Sequence, residues 1–575
     1  MDDVSKPEAG LSGDKAKAGP WHCLKRRDSL IFLALILFGI LSVYLSFYPV
    51  IYTPGWPESF ETHAWNWRIA VYHNAMRHGD LIPLWSPHES LGMGSAMPLF
   101  YHRLFNTVAA GLMFVTGTIK SASILTIFIF SLIAICGIYR IGRIVGLDWR
   151  LSFVIAVIFP HLNYVRTDLF IRGAFAEFCA LCLCVWLLWW CVNLLRFRRF
   201  SLTLGFIMWL IFLSHSVTAF YSVLIPAVAS LLFIRRYPGR WRRVVARGVI
   251  SLLIFLVLIA PLIAGIWYVR STIDLSYLQE MFPSRNYREL WRYIYEPFDW
   301  RTIPICCTMQ LDSFIMVGFI GMAAVLTWMS FKKKQKIAKF ETSIYLFTGI
   351  NLLVYLWLQT PLSAFFYDYF PGAGYIQFPW RCLTYITLFL VLGYQVAASR
   401  LYKTYPRAIF IITSLIAVVT VIVNVARPFN KKWVNAERFE NPKPFNWREY
   451  FPNYPGRKMS EKDFAMTIIR QFKSGNCDVL GRGAKILPYA PKNYLETVYL
   501  VKAPNATEVA VLLNYSGLET VLMQQGDKWL KVESYRTSDD SRVRFKVPAG
   551  TNRFKVLKPA LKHLPELLWT TNAEQ

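Results

Sequence analysis

Residues 97–117 read MPLFYHRLFNTVAAGLMFVTG, a segment that hydropathy alone would allow to cross a bilayer. Its first third carries His102 and Arg103. That leaves an unbroken apolar part of about a dozen residues, short of the roughly 20 a helix needs to cross the hydrocarbon core. The reading of this segment decides the topology around it. If it does not span, six basic loops fall on one side of the membrane, as cytoplasmic loops should. These are KRRD at 25–28, YRIGR at 139–143, RFRR at 196–199, RRYPGRWRR at 235–243, KKKQK at 332–336 and RLYKTYPR at 400–407. The segment therefore reads as an interfacial or re-entrant helix, and residues 51–120 become one long external segment.

The rest of the chain has the composition this topology needs. Its 575 residues are 55% hydrophobic and 16% aromatic, and the mean hydropathy is +0.35. Such a chain belongs among membrane proteins. Apolar runs begin near residues 29, 121, 150, 174, 201, 217, 247, 311, 342, 380 and 407, which predicts a polytopic α-helical protein of about 11 transmembrane helices. The net charge of +28 sits in the basic loops, and no nucleic-acid-binding module is visible. The ten cysteines fall mostly in apolar runs such as FCALCLCVWLLWWC and read as small apolar helix residues. Cys306 and Cys307 are adjacent in an external stretch, as two free thiols or a vicinal disulfide. Residues 1–27 are polar and read as a flexible cytoplasmic segment. The run that follows is too long for a signal-peptide core and has no small-residue cleavage site, so it reads as a retained first span.

Residues 28–426 form the expected transmembrane domain. After Arg427 the composition shifts to Lys, Asn, Pro and Gly, with short strand-like runs ETVYLVKA, TEVAVLLN, ETVLMQQ, WLKVESY and RVRFKV divided by turns. A C-terminal β-sandwich-like domain over 427–575 is expected, external because the number of spans is odd.

Polar groups concentrate on the external side. PESFETHAWNWRIAVYHNAMRHGDLIPLW, residues 57–85, carries Glu58, Glu61, His63 and Arg68. A carboxylate just outside the first span either pairs with an arginine or serves as a general base that accepts a proton from a hydroxyl nucleophile. The tryptophans of this stretch, at helical spacing, suit an interfacial helix anchored in headgroups. Five histidines lie between residues 63 and 102, yet none shows a metal-ligand pattern with a carboxylate. A divalent metal is thus open but unsupported, and no metal ligand is assigned.

A second cluster, YVRTDLFIRGAFAEF at 164–178, places Arg166, Asp168, Arg172 and Glu177 at the mouth of two spans. Charges there need partners or a water-filled cavity. Arg172 and Glu177 either pair with each other or serve a ligand, since arginine suits bidentate phosphate contact. His215, in LSHSVTAFY, is either an interhelical hydrogen-bonding residue or a cavity lining. GYIQFPWRCL at 374–383 brings Gln377 and Arg381 to a re-entry point. Arg381 either snorkels to lipid phosphate or holds a phosphate substrate.

An acidic residue after the first span, a later Arg-Ile, then G-D-L-x-P-x-W, G-x-G, F-Y, R-G-A-x-A-E, S-H-x-x-T-A and I-Q-F-P-W-R resemble the bacterial YfhO-like, 6-pyruvoyl-tetrahydropterin synthase-related membrane proteins. The resemblance runs over about residues 29–400. It implies a branch of the GT-C glycosyltransferases in the bacterial inner membrane, taking sugar from a polyprenyl-phosphate-linked donor to a cell-envelope glycan, lipid or protein. It implies no obligatory cofactor. It makes Glu61 the catalytic base, with Glu58, His63, Arg68, Arg166, Arg172, Glu177, His215, Gln377 and Arg381 as substrate-binding candidates. The family's usual Asp-x-x-x-His, with Arg three further on, becomes Glu61, Trp65 and Arg68 here, so the carboxylate is kept and the histidine is not. A transporter or flippase of lipid-linked saccharide, or a non-catalytic envelope assembly protein, is the alternative. The concentration of polar residues at one face favours surface chemistry over transport.

Overall fold

A computed structural model of the chain describes residues 26–87, 89, 94–270, 287, 290–293, 312–333, 339–373, 376, 378–426, 433–442, 479–481, 484–487, 495–537 and 540–560. The amino-terminal 25 residues, Gln377 and the Cys306–Cys307 pair lie outside the described residues.

Eight helices among these are long and apolar enough to cross a membrane, and a ninth arises if Phe340–Trp357 and Pro361–Tyr369, bent by 90°, form one span. The chain is thus a multi-pass membrane protein. Eight or nine of the 11 expected spans are thus seen among the described residues; Thr203–Ser214 has 12 residues, and at 1.5 Å per residue reaches about 18 Å, short of a ~30 Å core. His215 ends it by taking an extended conformation (φ −159°, ψ 107°) before the next helix starts at Ser216.

Residues 97–117 do not span. A single turn, Met97–Phe100, is followed by the 13-residue helix Leu104–Thr116, closed by left-handed Gly117 (φ 73°). Thr62–Arg77 forms the other long helix of this layer. Its tryptophans do not lie in headgroups as expected. Trp65 and Trp67 are 3% and 7% exposed, and Trp65 packs among Trp56, Phe105, Phe175 and Phe439. Burial of each large ring inside protein gains area that the bilayer interface would leave half wet.

After the last span, the chain returns to this layer. Strand β1 (Trp56–Pro57) pairs antiparallel with β2 (Trp433–Val434). Phe439 stacks on Trp56 at 5.6 Å, and its carbonyl accepts from Asn66 Nδ2. Glu440 caps the Ile119–Ile144 helix, accepting from the backbone N–H of Ile119 and Lys120. Two otherwise orphaned donors are satisfied, and a negative charge sits at a helix N-terminus.

Further on, strands β3 (Val479–Gly481), β4 (Lys485–Leu487), β5 (Glu496–Ala503), β6 (Thr507–Asn514), β7 (Thr520–Gln525), β8 (Lys528–Val532), β9 (Ser534–Thr537), β10 (Asp540–Val547) and β11 (Gly550–Leu557) build two antiparallel sheets, ordered β3-β6-β10-β9 and β4-β5-β11-β7-β8. The alternation of buried and open residues along β5 follows the period of two expected for a strand with one covered face. Val501, Val509, Val511, Phe545 and Phe554 share one apolar cluster, which also takes in Trp85, Leu99 and Val269. The β region is thereby seated on Leu84, Trp85, Ala96, Leu99 and Phe100 and on the end of the Trp241–Val269 helix.

A candidate active site at the helix ends opposite the basic loops

The charged groups assemble from chain turns at one end of the spans. Glu177 lies in the first turn of Phe175–Phe197, whose last turn carries Arg196. Arg381 lies in the turn Pro379–Cys382 that opens the Leu383–Tyr402 helix, whose last turn carries Arg400. His215 precedes the span that ends at Arg235 and Arg236. The site and the basic loops therefore occupy opposite ends of the same helices.

Arg172 ends a π-helical turn, Thr167–Arg172, that runs into left-handed Gly173 (φ 68°). A Cβ at Gly173 would collide with the Ser59 hydroxyl. Only glycine allows both the backbone sign and this approach, and the approach docks the external loop: Phe60 and Glu61 donate their backbone N–H groups to the carbonyls of Ile171 (3.3 Å) and Arg172 (3.0 Å). The R-G-A-x-A-E motif thus carries Glu61 to the mouth of the spans.

Arg172 is saturated. Its guanidinium donates to Asp168, to Glu177 Oε2 at 2.8 Å and to the Tyr164 hydroxyl at 3.3 Å, while the Trp380 ring lies 4.3 Å away. Glu177 further accepts from Tyr164 at 2.8 Å and from Thr384 at 3.5 Å. Arg381 approaches the same carboxylate less closely, Nε to Oε2 being 3.6 Å, and its Nε is buried without a hydrogen-bond partner.

His215 connects the two halves of the layer. Its Nδ1 accepts from the Thr218 backbone N–H at 3.1 Å, the capping contact that explains S-H-x-x-T. With Nδ1 accepting, a neutral His215 carries its proton on Nε2, which lies 4.0 Å from Glu177 and 3.5 Å from Arg381. The His102 ring packs on it at 4.2 Å, and Tyr101 packs on His102 at 4.8 Å. Burial, reinforced by His215, Arg381 and Arg68, pushes the His102 imidazole well below its usual range, so it is neutral.

The Tyr101 hydroxyl donates to Glu61 Oε2 at 2.8 Å, and Arg68 lies both 3.7 Å from that oxygen and over the Tyr101 ring at 3.2 Å. Glu61, Arg68, Arg172, Glu177, His215 and Arg381 therefore form one continuous layer.

The other candidates lie elsewhere. Arg166 donates to the Ser46 hydroxyl and carbonyl on the first span, at 3.2 and 3.4 Å. Burial lowers the pKa of His63, and the charges that face it are Arg438 and Glu58, on the side of the returning segment. Gln377 lies outside the described residues. Tyr101 and Tyr164 were not singled out from sequence: each acts on a carboxylate far along the chain or across a turn, and only the F-Y pair of the resemblance pointed to Tyr101. Among the described residues, no group of three or more His, Cys, Asp or Glu could hold a metal ion.

Beside this layer an open groove of about 420 Å³ runs between Thr203–Ser214, the helices from Ser216 to Arg236 and Trp241–Val269. It is lined by Met208, Phe212, Phe220, Val223, Leu252 and Phe255 among others, with Ser216 and Ser251 as its only polar residues. Ser216 adjoins His215 in the chain and donates its backbone N–H to His102 Nδ1 at 3.4 Å. At Ser216 the lining of the groove is thus in hydrogen-bond contact with the charged layer.

No family model matches the chain, and no curated protein matches it. Among solved structures it is similar to the arabinofuranosyltransferase AftD from Mycobacteria, with 11% identity and a TM-score of 0.45 over 87% of this chain and 41% of that one. It is also similar to the Archaeoglobus fulgidus oligosaccharyltransferase tethered with an acceptor peptide (13%, 0.39, 74% and 61%) and to AglB from the same organism in complex with an inhibitory peptide and a dolichol-phosphate (13%, 0.36, 70% and 56%). The chain spans about two fifths of the first and less than two thirds of the others.

Proposed function

We propose that the chain is a GT-C-like membrane glycosyltransferase, moving a sugar from a polyprenyl-phosphate-linked donor to a cell-envelope glycan, lipid or protein at the outer face of the bacterial inner membrane. The observation that carries this reading is the junction at His215–Ser216. There, a residue that lines an apolar groove, Ser216, touches His102 of a layer that also holds a partly exposed carboxylate, Glu61, and a loosely paired guanidinium, Arg381. An amphipathic donor needs both environments side by side. The basic loops at the far helix ends support an outward-facing layer.

In the proposed reaction, the acceptor hydroxyl oxygen attacks the anomeric carbon as the bond from that carbon to the phosphate oxygen breaks. The hydroxyl proton passes to Glu61, and the electron pair leaves with the polyprenyl phosphate. Arg381 meets the charge growing on that phosphate. Arg172, already satisfied, fixes Glu177 and through it Arg381. Tyr101 and Arg68 hold Glu61 in place. Glu58, His63, Arg166 and Gln377 remain candidates for contacts with the remainder of donor or acceptor.

The test is release of polyprenyl phosphate from a panel of polyprenyl-phosphate sugars by the protein in proteoliposomes. Glu61→Gln should lower turnover by roughly 10²–10⁴, the usual worth of a general base, with donor binding kept. Arg381→Gln should weaken donor binding. Turnover of Glu61→Gln within a few-fold of the parent protein would sink the assignment.

A further inference from the structure

The five-stranded sheet turns one face to the shared core and the other outward. Strand pairing fixes which side chains share the outer face. Lys485 opposes Lys502, which opposes Thr551. Leu500 opposes Arg553, which donates to Gln524 at 3.0 Å, and Gln524 opposes Trp529. Val498 opposes Lys555, which opposes Leu522, and Leu522 opposes Lys531. Five cations thus share this face, and two of them, Arg553 and Lys555, lie 5.5 and 4.8 Å from the ring of the half-buried Trp529. Glu496, at the margin, is the only carboxylate in these rows.

We infer that this face binds a polyanionic saccharide chain, one bearing carboxylate or phosphate charges. Cations held in a row at the strand spacing match charges repeated along a polymer, an arginine beside them supplies paired donors to carboxylate or phosphate, and an indole offers a flat apolar surface to a sugar ring. An anionic bilayer is the less favoured partner because of where the face lies. Gly517, in the loop before β7, packs on Tyr268 near the end of the Trp241–Val269 membrane helix. From Thr520, next to that contact, to Gln524 the strand climbs about 13 Å, and the Lys485–Lys502 row lies further along the same direction. Lys531 and Lys555 oppose Leu522, two residues from Thr520, and Arg553 and the Lys485–Lys502 row stand progressively further from the membrane helix. If the chain is a glycosyltransferase, this face would hold an acidic acceptor, but the binding itself does not depend on that reading.

Full-length protein in detergent, migrating through gels that contain polygalacturonate, phosphorylated dextran or neutral dextran, tests the inference. One or both anionic polymers should retard it, neutral dextran should not, and the one that retards it identifies the charge. Trp529→Ala should weaken retardation roughly tenfold or more, as loss of a central tryptophan contact does. Trp529→Phe should largely restore it, and Arg553→Gln with Lys555→Gln should abolish it. Glu61→Gln, inactive on the reading above, should be retarded like the parent protein, which separates the two proposals. Equal retardation by neutral dextran, none by either anionic polymer, or loss in Arg553→Gln/Lys555→Gln with none in Trp529→Ala would overturn it. So would preferential capture by phosphatidylglycerol vesicles.

Discussion

The two halves of the charged layer use the same residue types for opposite ends. In the span-end half, Glu177 is 1% exposed and bound to Arg172, Tyr164 and Thr384. In the loop half, Glu61 is 19% exposed, takes one tyrosine hydroxyl and lies 3.7 Å from Arg68. A carboxylate whose lone pairs are committed to fixed donors is poorly placed to gain a proton, whereas one with a single close donor beside open space is well placed. The same contrast separates the arginines: Arg172 is closed on all sides and Arg381 is not. On the proposed reading, structure and chemistry are divided between the halves.

The comparison breaks most visibly if the roles are exchanged by mutation. Glu61→Gln should remove turnover by the factor given above while leaving the thermal transition of the protein in detergent within a degree or two. Arg172→Met should do the reverse in kind. It leaves Asp168 and Glu177 buried without their main cation, a change that costs about 3–5 kcal/mol where a buried pair is broken, so a large drop in thermal stability and in yield is expected. If Arg172→Met instead folds at the parent temperature and fails only in donor binding, Arg172 belongs with Arg381 as a ligand. A smaller effect is expected at the joint between the halves. Tyr101→Phe removes a hydrogen bond to a charged group, worth about 1.5–3 kcal/mol, and turnover should fall roughly tenfold or more, with melting lowered by no more than about a degree or two in a chain of this size. Equal activity of Tyr101→Phe and the parent protein would remove tyrosine from the positioning of Glu61.

Much of this division was legible along the chain because it rests on short-range patterns. The dozen apolar residues after Arg103 exclude a crossing, and a 13-residue helix forms there. R-G-A-x-A-E places Arg172 and Glu177 five residues apart across a turn, and they pair. What escaped depends on contacts with no sequence period. Tyr101 meets Glu61 across 40 residues. Phe439 and Glu440 come back from beyond the last span to bury Trp56 and Trp65 and to cap the Ile119–Ile144 helix. That returning segment completes the cover over Trp56 and Trp65, whose composition alone suggests exposure to solvent or lipid. The two apolar runs on either side of His215 were legible as well, but hydropathy does not give the length of the first, which folds as a helix of 12 residues.

A third carboxylate, Glu89, extends the comparison and gives its smallest effect. It is buried like Glu177 but is met by uncharged donors: Trp67 Nε1 donates to it at 3.0 Å, and Ser95 donates to the other oxygen. Burial outweighs these bonds and the charge of Arg68, and raises its pKa to about 7. Against an unfolded value near 4.5, the folded state keeps a proton that the unfolded state releases between those two values. The stability Glu89 contributes is therefore complete below pH 4.5 and is lost as pH rises through 7. Melting of the parent protein should fall by roughly a degree or two between pH 5 and pH 8, given the size of the chain. Glu89→Gln should flatten that slope by keeping the acid's neutral shape at every pH. A slope unchanged in Glu89→Gln would mean that Glu89 is ionised in the folded protein, paired as Glu177 is, and that the contrast between cation-held and neutral carboxylates does not extend to the 86–95 turn.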